Sequence, residues 1–469
     1  MSRPFISSKL PEIEQRDEIS SVRQNAFVVT DVLVAEQTPL SVSLELEPRT
    51  ASGVWKEAIV PFLGTRLIVL CMGLLATYYV LPLLVSNPRL PTFSADGSFP
   101  QALWLMWSRF DSGFYLDIAQ HGYWAASTLH SRTDWVFYPL YPLLISIVGK
   151  LFGASADAFD IAGVLIANVA GVAMITYLYL LVRRDFNQKI AARAALYLAV
   201  FPLALFLSAI YTESLLLCFS VACIYYARKQ SWWLAGLCGG LAALTRLQGV
   251  ALIVPLAWEY LRVVSARYAP LPAELPPELT ARVTLWLRYF VQGISLAARE
   301  LKNWVTGLAL ALVPCGLLAF MLYGQIDIGD FFATFHASKW GWGRQLSSPL
   351  RLLLYSFRHP ILGQPLNWNF WVLNIVAACA FLAVILWVLR RLPMIYTLYT
   401  AVTVLLPLAS GSLNSLARYY LLVFPAFILL ALLTSKPEKP HLHAFIVAGF
   451  AALQALLTVL FVLGIFAIA

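Results

Sequence analysis

Chemistry in this chain must come from a few charged residues embedded in apolar sequence. The densest stretch is Trp107-Ser-Arg-Phe-Asp111-Ser-Gly-Phe-Tyr115-Leu-Asp117-Ile-Ala-Gln-His121-Gly-Tyr123. Read as a helix, it sets Ser108, Asp111, Tyr115 and Ile118 on one face, and Asp117 and His121, four apart, on another. Asp111 then faces a surface flanked by aromatics, where desolvation strengthens a carboxylate as a general base. The structural alternative is an Asp that caps a short interfacial helix or pairs with Arg109. Glu213, in Ile210-Tyr-Thr-Glu-Ser214, either caps the following helix, whose dipole favours a carboxylate, or faces a cavity as an acid. Arg246, in Leu244-Thr-Arg-Leu-Gln-Gly249, and Arg418, followed by Tyr419, are guanidiniums in apolar surroundings. Each needs an anion, either a partner carboxylate or a ligand phosphate. His336, Lys339 and Arg344, set among Trp340 and Trp342, either add positive potential near the outer surface or snorkel at the interface. The six cysteines fall in apolar runs with no CxxC or Cys/His spacing, so neither a zinc site nor a disulfide framework is expected.

The elements that must position these residues follow from composition. Apolar residues make up 60% and charged residues 12% of the 469, against roughly 45–50% and 25% in soluble globular chains. Fifteen of the charged side chains fall in the first 58 residues. The chain therefore reads as an all-α polytopic membrane protein, with residues 1–58 a cytoplasmic, disordered tail and residues 59–469 one transmembrane domain. The tail lacks an apolar h-region, so no cleavable signal is expected and the first apolar run serves as an anchor. The net charge of +9 follows from positive-inside bias and needs no nucleic-acid partner.

Apolar runs at 59–85, 159–182, 190–209, 214–227, 304–323, 370–389, 395–409, 419–433 and 444–467 predict spanning helices. Residues 232–260 predict two shorter ones meeting at a polar break over Thr245-Arg-Leu-Gln-Gly249, for about 11 spans in all. Residues 136–152 carry two prolines and a lysine and predict a helix lying in the interface. With that helix not crossing, the inner loops hold 16 basic residues beyond the tail and the outer side 10; with it crossing, the dibasic clusters would face outward, against the orientation rule. Two aromatic-rich outer loops, 86–157 and 325–368, predict ordered, membrane-lying segments. The inner loop at 262–303 is Pro-rich, then basic and amphipathic.

Taken in order, Trp107-Ser-Arg-Phe-Asp111 through Tyr123, Phe137-Tyr-Pro-Leu-Tyr-Pro-Leu-Leu144, Phe201-Pro with Tyr211-Thr-Glu-Ser214, Leu244-Thr-Arg246 with Gly249-Val, and Ala417-Arg-Tyr with Phe424-Pro425 resemble the PIG-V mannosyltransferase family. The resemblance runs from about residue 104 to 425. This chain departs from it at Arg109-Phe110, where relatives often carry Trp directly before the Asp, and at Tyr138, where many carry Phe. The compact loops look similar to prokaryotic members. The resemblance implies a GT-C-like bundle and transfer of mannose, with inversion, from a polyprenyl-phosphate donor on the non-cytoplasmic face. In eukaryotes such enzymes add mannose to a GPI precursor in the endoplasmic reticulum; a prokaryotic member would sit in the plasma membrane. The expected partners are the polyprenyl-phosphate sugar, a lipid or glycan acceptor and membrane lipids.

Phosphate is a good leaving group, so such a reaction needs a base for the acceptor hydroxyl and cations for the departing phosphate. Asp111 is the expected base. Arg246 and Arg418, helped by Lys339 and Arg344, are the expected phosphate ligands, and Glu213 orients the acceptor or the arginines. Tyr115, Asp117, His336 and Tyr419 complete the expected substrate-binding set. A Mg²⁺ between Asp111 and Asp117 could do the arginines' work, but no metal or other cofactor is expected. A lipid or organic-anion transporter or flippase is the alternative, since it too places Arg and Asp in a midplane cavity; the inverted repeats common in transporters are absent here.

Overall fold

Apolar runs bounded by capping residues fold as helices in the computed structural model, which describes residues 51–80, 99–123, 133–272, 276, 278–358, 365–412, 416–435 and 440–464. Residues 1–50 of the expected 1–58 tail and parts of the first outer loop, 81–98 and 124–132, lie outside the described residues, as do the expectations for them, whereas residues 51–58, expected in the disordered tail, are helical and lead into the first apolar run. The helices are α1 (Trp55–Val80), α2 (Phe99–Leu105), α3 (Ser112–His121), α4 (Leu140–Leu151), α5 (Ala156–Asp185), α6 (Gln188–Val200), α7 (Glu213–Arg228), α8 (Trp232–Thr245) and α9 (Leu247–Tyr268). They continue as α10 (Leu279–Ala297), α11 (Leu301–Ile328), α12 (Ala333–Trp342), α13 (Pro349–Arg358), α14 (Pro365–Arg391), α15 (Met394–Leu408), α16 (Phe424–Thr434) and α17 (Pro440–Val462). There is no strand among the described residues.

Helix α5 illustrates the local rules. Ser155 accepts the Ala158 N–H at 3.2 Å, Asp157 lies in the first turn, and Arg183 and Arg184 lie in the last, each charge opposing the helix dipole at its end. Close packing then depends on small residues. A Cβ on Gly236 of α8 would fall 1.9 Å from the Ala309 carbonyl oxygen, so only glycine lets α8 and the start of α11 approach backbone to backbone.

Among the described residues, six helices are long and apolar enough to cross a membrane, or seven if the bent segment spanning 416–434 counts as one. The count of about 11 is not reached by that measure, because α6, α7, α8 and α15 have 13 to 16 residues, fewer than the roughly 20 that a straight span needs. Short helices leave backbone breaks inside the bundle, and three such breaks meet here. The first follows α6, where Phe201-Pro202 leads into a 3-10 turn at Pro202–Leu207. The second is at Arg246, fully extended (φ −166°, ψ 152°) between α8 and α9; the sequence predicts this break. The third is the 66° bend between the 3-10 segment Leu416–Leu422 and α16.

Carbonyls freed at the first break find donors from other helices, as buried backbone must. Arg66 of α1, itself buried, donates to the carbonyls of Ala199 (2.9 Å) and Ala204, and Gln454 of α17 to those of Ala199 (3.1 Å) and Phe201 (3.0 Å). Arg66 escaped the sequence reading although an arginine inside an apolar run is a signal in itself.

At the opposite end of the bundle, Arg228 bridges Asp185 and Glu259 at 2.9 Å each, Arg262 joins Glu259 at 2.7 Å, and the Tyr396 hydroxyl donates to Asp185 at 2.7 Å. This network ties α5, α7, α9 and α15. Asp185 and Glu259 are 3% and 2% exposed, so removing their shared cation leaves buried charge. Arg228→Gln is expected to destabilise the protein by about 3–5 kcal/mol, measured as denaturant unfolding in detergent; a loss below about 1 kcal/mol would mean that water relaxes into the network.

Candidate active site

Asp111 is set by a strained turn. Helix α3 begins one residue after it, so Ser108 does not share its face as a longer helix would require. Phe110 takes φ +51°, a left-handed conformation costly for a bulky side chain and tolerated where the surroundings hold it. The holding group is Tyr211: its hydroxyl accepts the Asp111 N–H at 3.2 Å and donates to the Arg109 carbonyl at 3.1 Å. Asp111 occupies the capping position of α3, but its side chain makes no capping bond. The carboxylate is held instead by Arg418, whose Nη1 and Nη2 donate to the same oxygen, Oδ2, at 3.2 and 3.3 Å.

Glu213 opens α7 with its side chain fully buried. It takes 2.8 Å from Arg246 Nη1 and lies 3.1 Å from Arg418 Nε, a contact of charge rather than of hydrogen-bond alignment. Arg246 continues to the Tyr419 hydroxyl at 2.9 Å and covers the Tyr419 ring at 4.7 Å; Arg418 packs over the rings of Tyr211 (5.0 Å) and Phe206 (5.5 Å). Two carboxylates and two guanidiniums from the three breaks and the α3 turn thus form one neutral, desolvated cluster. Fixing each charge with an opposite one is what makes its burial tolerable.

The cluster forms one wall of an open cavity of about 140 Å³, where Asp111, Arg246, Arg418 and Tyr419 meet Tyr115, Phe137, Tyr138, Trp342 and Arg344. Aromatic packing backs the cavity's Phe137, which stacks on Phe114 at 4.6 Å and meets Trp342 edge-on at 5.9 Å. Burial pushes the Tyr115 phenol up to about 12, so it remains a neutral hydrogen-bonding group at physiological pH.

Of the residues expected from sequence, Asp111, Tyr115, Arg246, Arg344, Arg418 and Tyr419 line this cavity, and Glu213 lies behind it. Asp117 and His121 pair with each other at 2.9 Å, His336 pairs with Asp330 at 2.8 Å and stacks on Trp340 at 4.7 Å, and neither Asp117, His336 nor Lys339 borders the cavity. Sequence reasoning passed over Tyr211, Phe206 and Gln248, which carry no charge at physiological pH and acquire a role only through their neighbours. Among the described residues no three His, Cys, Asp or Glu side chains are placed to hold a metal ion.

A family model described as dolichyl-phosphate-mannose-protein mannosyltransferase matches residues 137–271, a stretch that holds Glu213 and Arg246 but neither Asp111 nor Arg418. Over 160 residues the chain is 29% identical to GPI mannosyltransferase 2 of Schizosaccharomyces pombe, covering 33% of this chain and 32% of that one; the chain spans about a third of this curated relative's length. Among solved structures, it aligns at 16% identity and a TM-score of 0.36 with the archaeal oligosaccharyltransferase AglB from Archaeoglobus fulgidus, in complex with an inhibitory peptide and a dolichol-phosphate, covering 87% of this chain and 56% of that one. It also aligns at 14% identity and a TM-score of 0.28 with ArnT from Cupriavidus metallidurans bound to undecaprenyl phosphate, covering 68% and 73%. The family match and the sequence relative are both mannosyltransferases, and this multi-pass membrane chain is similar to each over about a third of its length or less.

Proposed function

We propose that the protein transfers mannose from a polyprenyl-phosphate donor to a hydroxyl of a lipid- or glycan-linked acceptor, with inversion, at the non-cytoplasmic face of its membrane. The observation that carries the reading is Asp111, clamped through Oδ2 alone at the wall of the cavity. Its other oxygen takes no hydrogen bond among the described residues and is the acceptor for a substrate proton. In the proposed step the acceptor oxygen bonds to the anomeric carbon as the carbon–phosphate oxygen bond breaks. The hydroxyl proton passes to Asp111, and polyprenyl phosphate leaves with the bonding pair. Arg418, paired with both carboxylates, positions the base, and Glu213 orients the two arginines.

The phosphate needs a cation that is not already neutralised. Arg246 and Arg418 each hold a carboxylate, whereas Arg344 lines the cavity with no carboxylate within ion-pair distance among the described residues. It lies beside the Trp342 ring, 5.9 Å from its centroid. Arg344 is therefore the first phosphate ligand in this reading, with Arg246 behind it. Arg344→Gln is expected to raise the donor KM about tenfold, the loss of one charge-assisted hydrogen bond, while kcat changes less; initial rates over a range of donor concentrations check it, and an unchanged KM reassigns the phosphate to Arg246.

Incubating membranes that carry the protein with labelled polyprenyl-phosphate mannose tests the function itself. Label should appear in a lipid or glycan fraction and vanish in membranes carrying Asp111→Asn. Donor that crosses the bilayer with its sugar–phosphate bond intact would favour a transporter instead.

A further inference from the structure

We propose that the Gln248 carboxamide binds a hydroxyl of the donor's sugar and so selects which hexose the site accepts; this rests on the glycosyl-transfer reading. Gln248 stands two residues beyond extended Arg246, in the first turn of α9, and lines the same cavity as Asp111 and Arg344. It also borders a smaller cavity behind, where Leu216, Leu252, Val402 and Leu422 meet the hydroxyl-bearing Ser220, Tyr399 and Thr403. Its amide oxygen is buried without a hydrogen-bond partner among the described residues. A buried amide oxygen without a partner destabilises a fold, and leucine or methionine would fill the space at no such cost. The charged members of the cavity wall all have work assigned: Asp111, Arg246 and Arg418 hold one another or Glu213, and Arg344 faces the phosphate. Gln248 is left as a neutral group able to accept from and donate to a hydroxyl. A neutral amide suits a sugar better than a charged group does, because it neither repels the neighbouring phosphate nor competes with Glu213 for Arg246. Sites built around such a hydrogen bond reject analogues that lack or misplace the hydroxyl, since the protein group is then buried unpaired.

The test measures binding by the purified protein of two lipids, polyprenyl-phosphate mannose and bare polyprenyl phosphate. Gln248→Met keeps the unbranched shape without the amide; it should weaken the sugar-bearing lipid roughly 10- to 100-fold and leave bare polyprenyl phosphate within about twofold. Gln248→Asn keeps the amide but withdraws it by one methylene, and should show the same selective loss to a smaller degree, providing a second readout if the Met variant does not fold. In transfer assays the preference for the mannose donor over its glucose epimer should narrow in both. Equal weakening of both lipids, or no weakening of either, would overturn the assignment and leave Gln248 a packing residue. A wild-type protein that binds neither lipid would overturn the glycosyl-transfer reading itself.

Discussion

Asp111→Asn is expected to lower the single-turnover rate of transfer by roughly 10²–10⁴-fold, about 3–5 kcal/mol of barrier, in a protein that still folds. Asparagine keeps the volume and can still accept from Arg418 through its amide oxygen, but it cannot take the proton of an acceptor hydroxyl. The fold should survive because Glu213 still faces both Arg246 at 2.8 Å and Arg418 at 3.1 Å, and the single positive charge left over lies at the wall of an open cavity. The turn is held through the backbone N–H of Asp111 and the carbonyl of Arg109, neither of which the substitution alters. Donor binding should be unchanged or slightly tighter, since a negative charge near the phosphate is removed. Asp117→Asn, by contrast, touches a residue paired with His121 outside the cavity, and should reduce the rate only a few-fold. An Asp111→Asn enzyme within a few-fold of wild type would end the assignment of the base.

Arg418→Lys, which conserves charge, is expected to cost about 10²-fold in kcat. The guanidinium works here as a fork: Nη1 and Nη2 meet Asp111 while Nε faces Glu213. A lysine ammonium is a single point of charge on a flexible stem and cannot span both carboxylates in that geometry. With Arg246 also on Glu213 at 2.8 Å, the ammonium would settle toward one acid and leave Asp111 free to rotate. Misplacing a reacting group by about 1 Å costs on the order of 10²-fold. Because the fork holds the base and not the donor, kcat should fall while the donor KM changes little. The opposite split, a raised KM with kcat preserved, would show that Arg418 binds phosphate directly, as the sequence alone suggests.

Arg228→Gln and Arg344→Gln separate fold from donor capture in the same way: the first should lower stability through a network at the far end of the bundle, the second should raise KM with stability unchanged.

Much of this protein is legible in one dimension. Apolar runs, dibasic ends and the polar interruption at Thr245-Arg246 are enough to predict an all-helical membrane protein with a broken helix, because desolvation leaves the backbone no other choice in lipid. The actors among the ionisable residues are equally legible, since a charge within apolar sequence demands a purpose. What the sequence leaves open is pairing. Asp111 could cap a helix, join Arg109 or meet a substrate; only the fold, which brings residues 307 apart into contact, gives it Arg418. Glu213 could be a cap or a cavity-facing acid, and only the meeting of three helix breaks makes it the buried counter-ion of two arginines. The same pairing gives Arg246 and Arg418 carboxylate partners and leaves Arg344, a helper to them in the sequence reading, lining the cavity with no such partner among the described residues. Tyr211 and Gln248 sit inside motifs read for their charged neighbours and carry no charge themselves at physiological pH, so their roles emerge only where the fold places a strained turn against a phenol or an amide against a cavity. Burial is dictated by residue type, which sequence records; partnership is dictated by distance, which only the tertiary structure supplies.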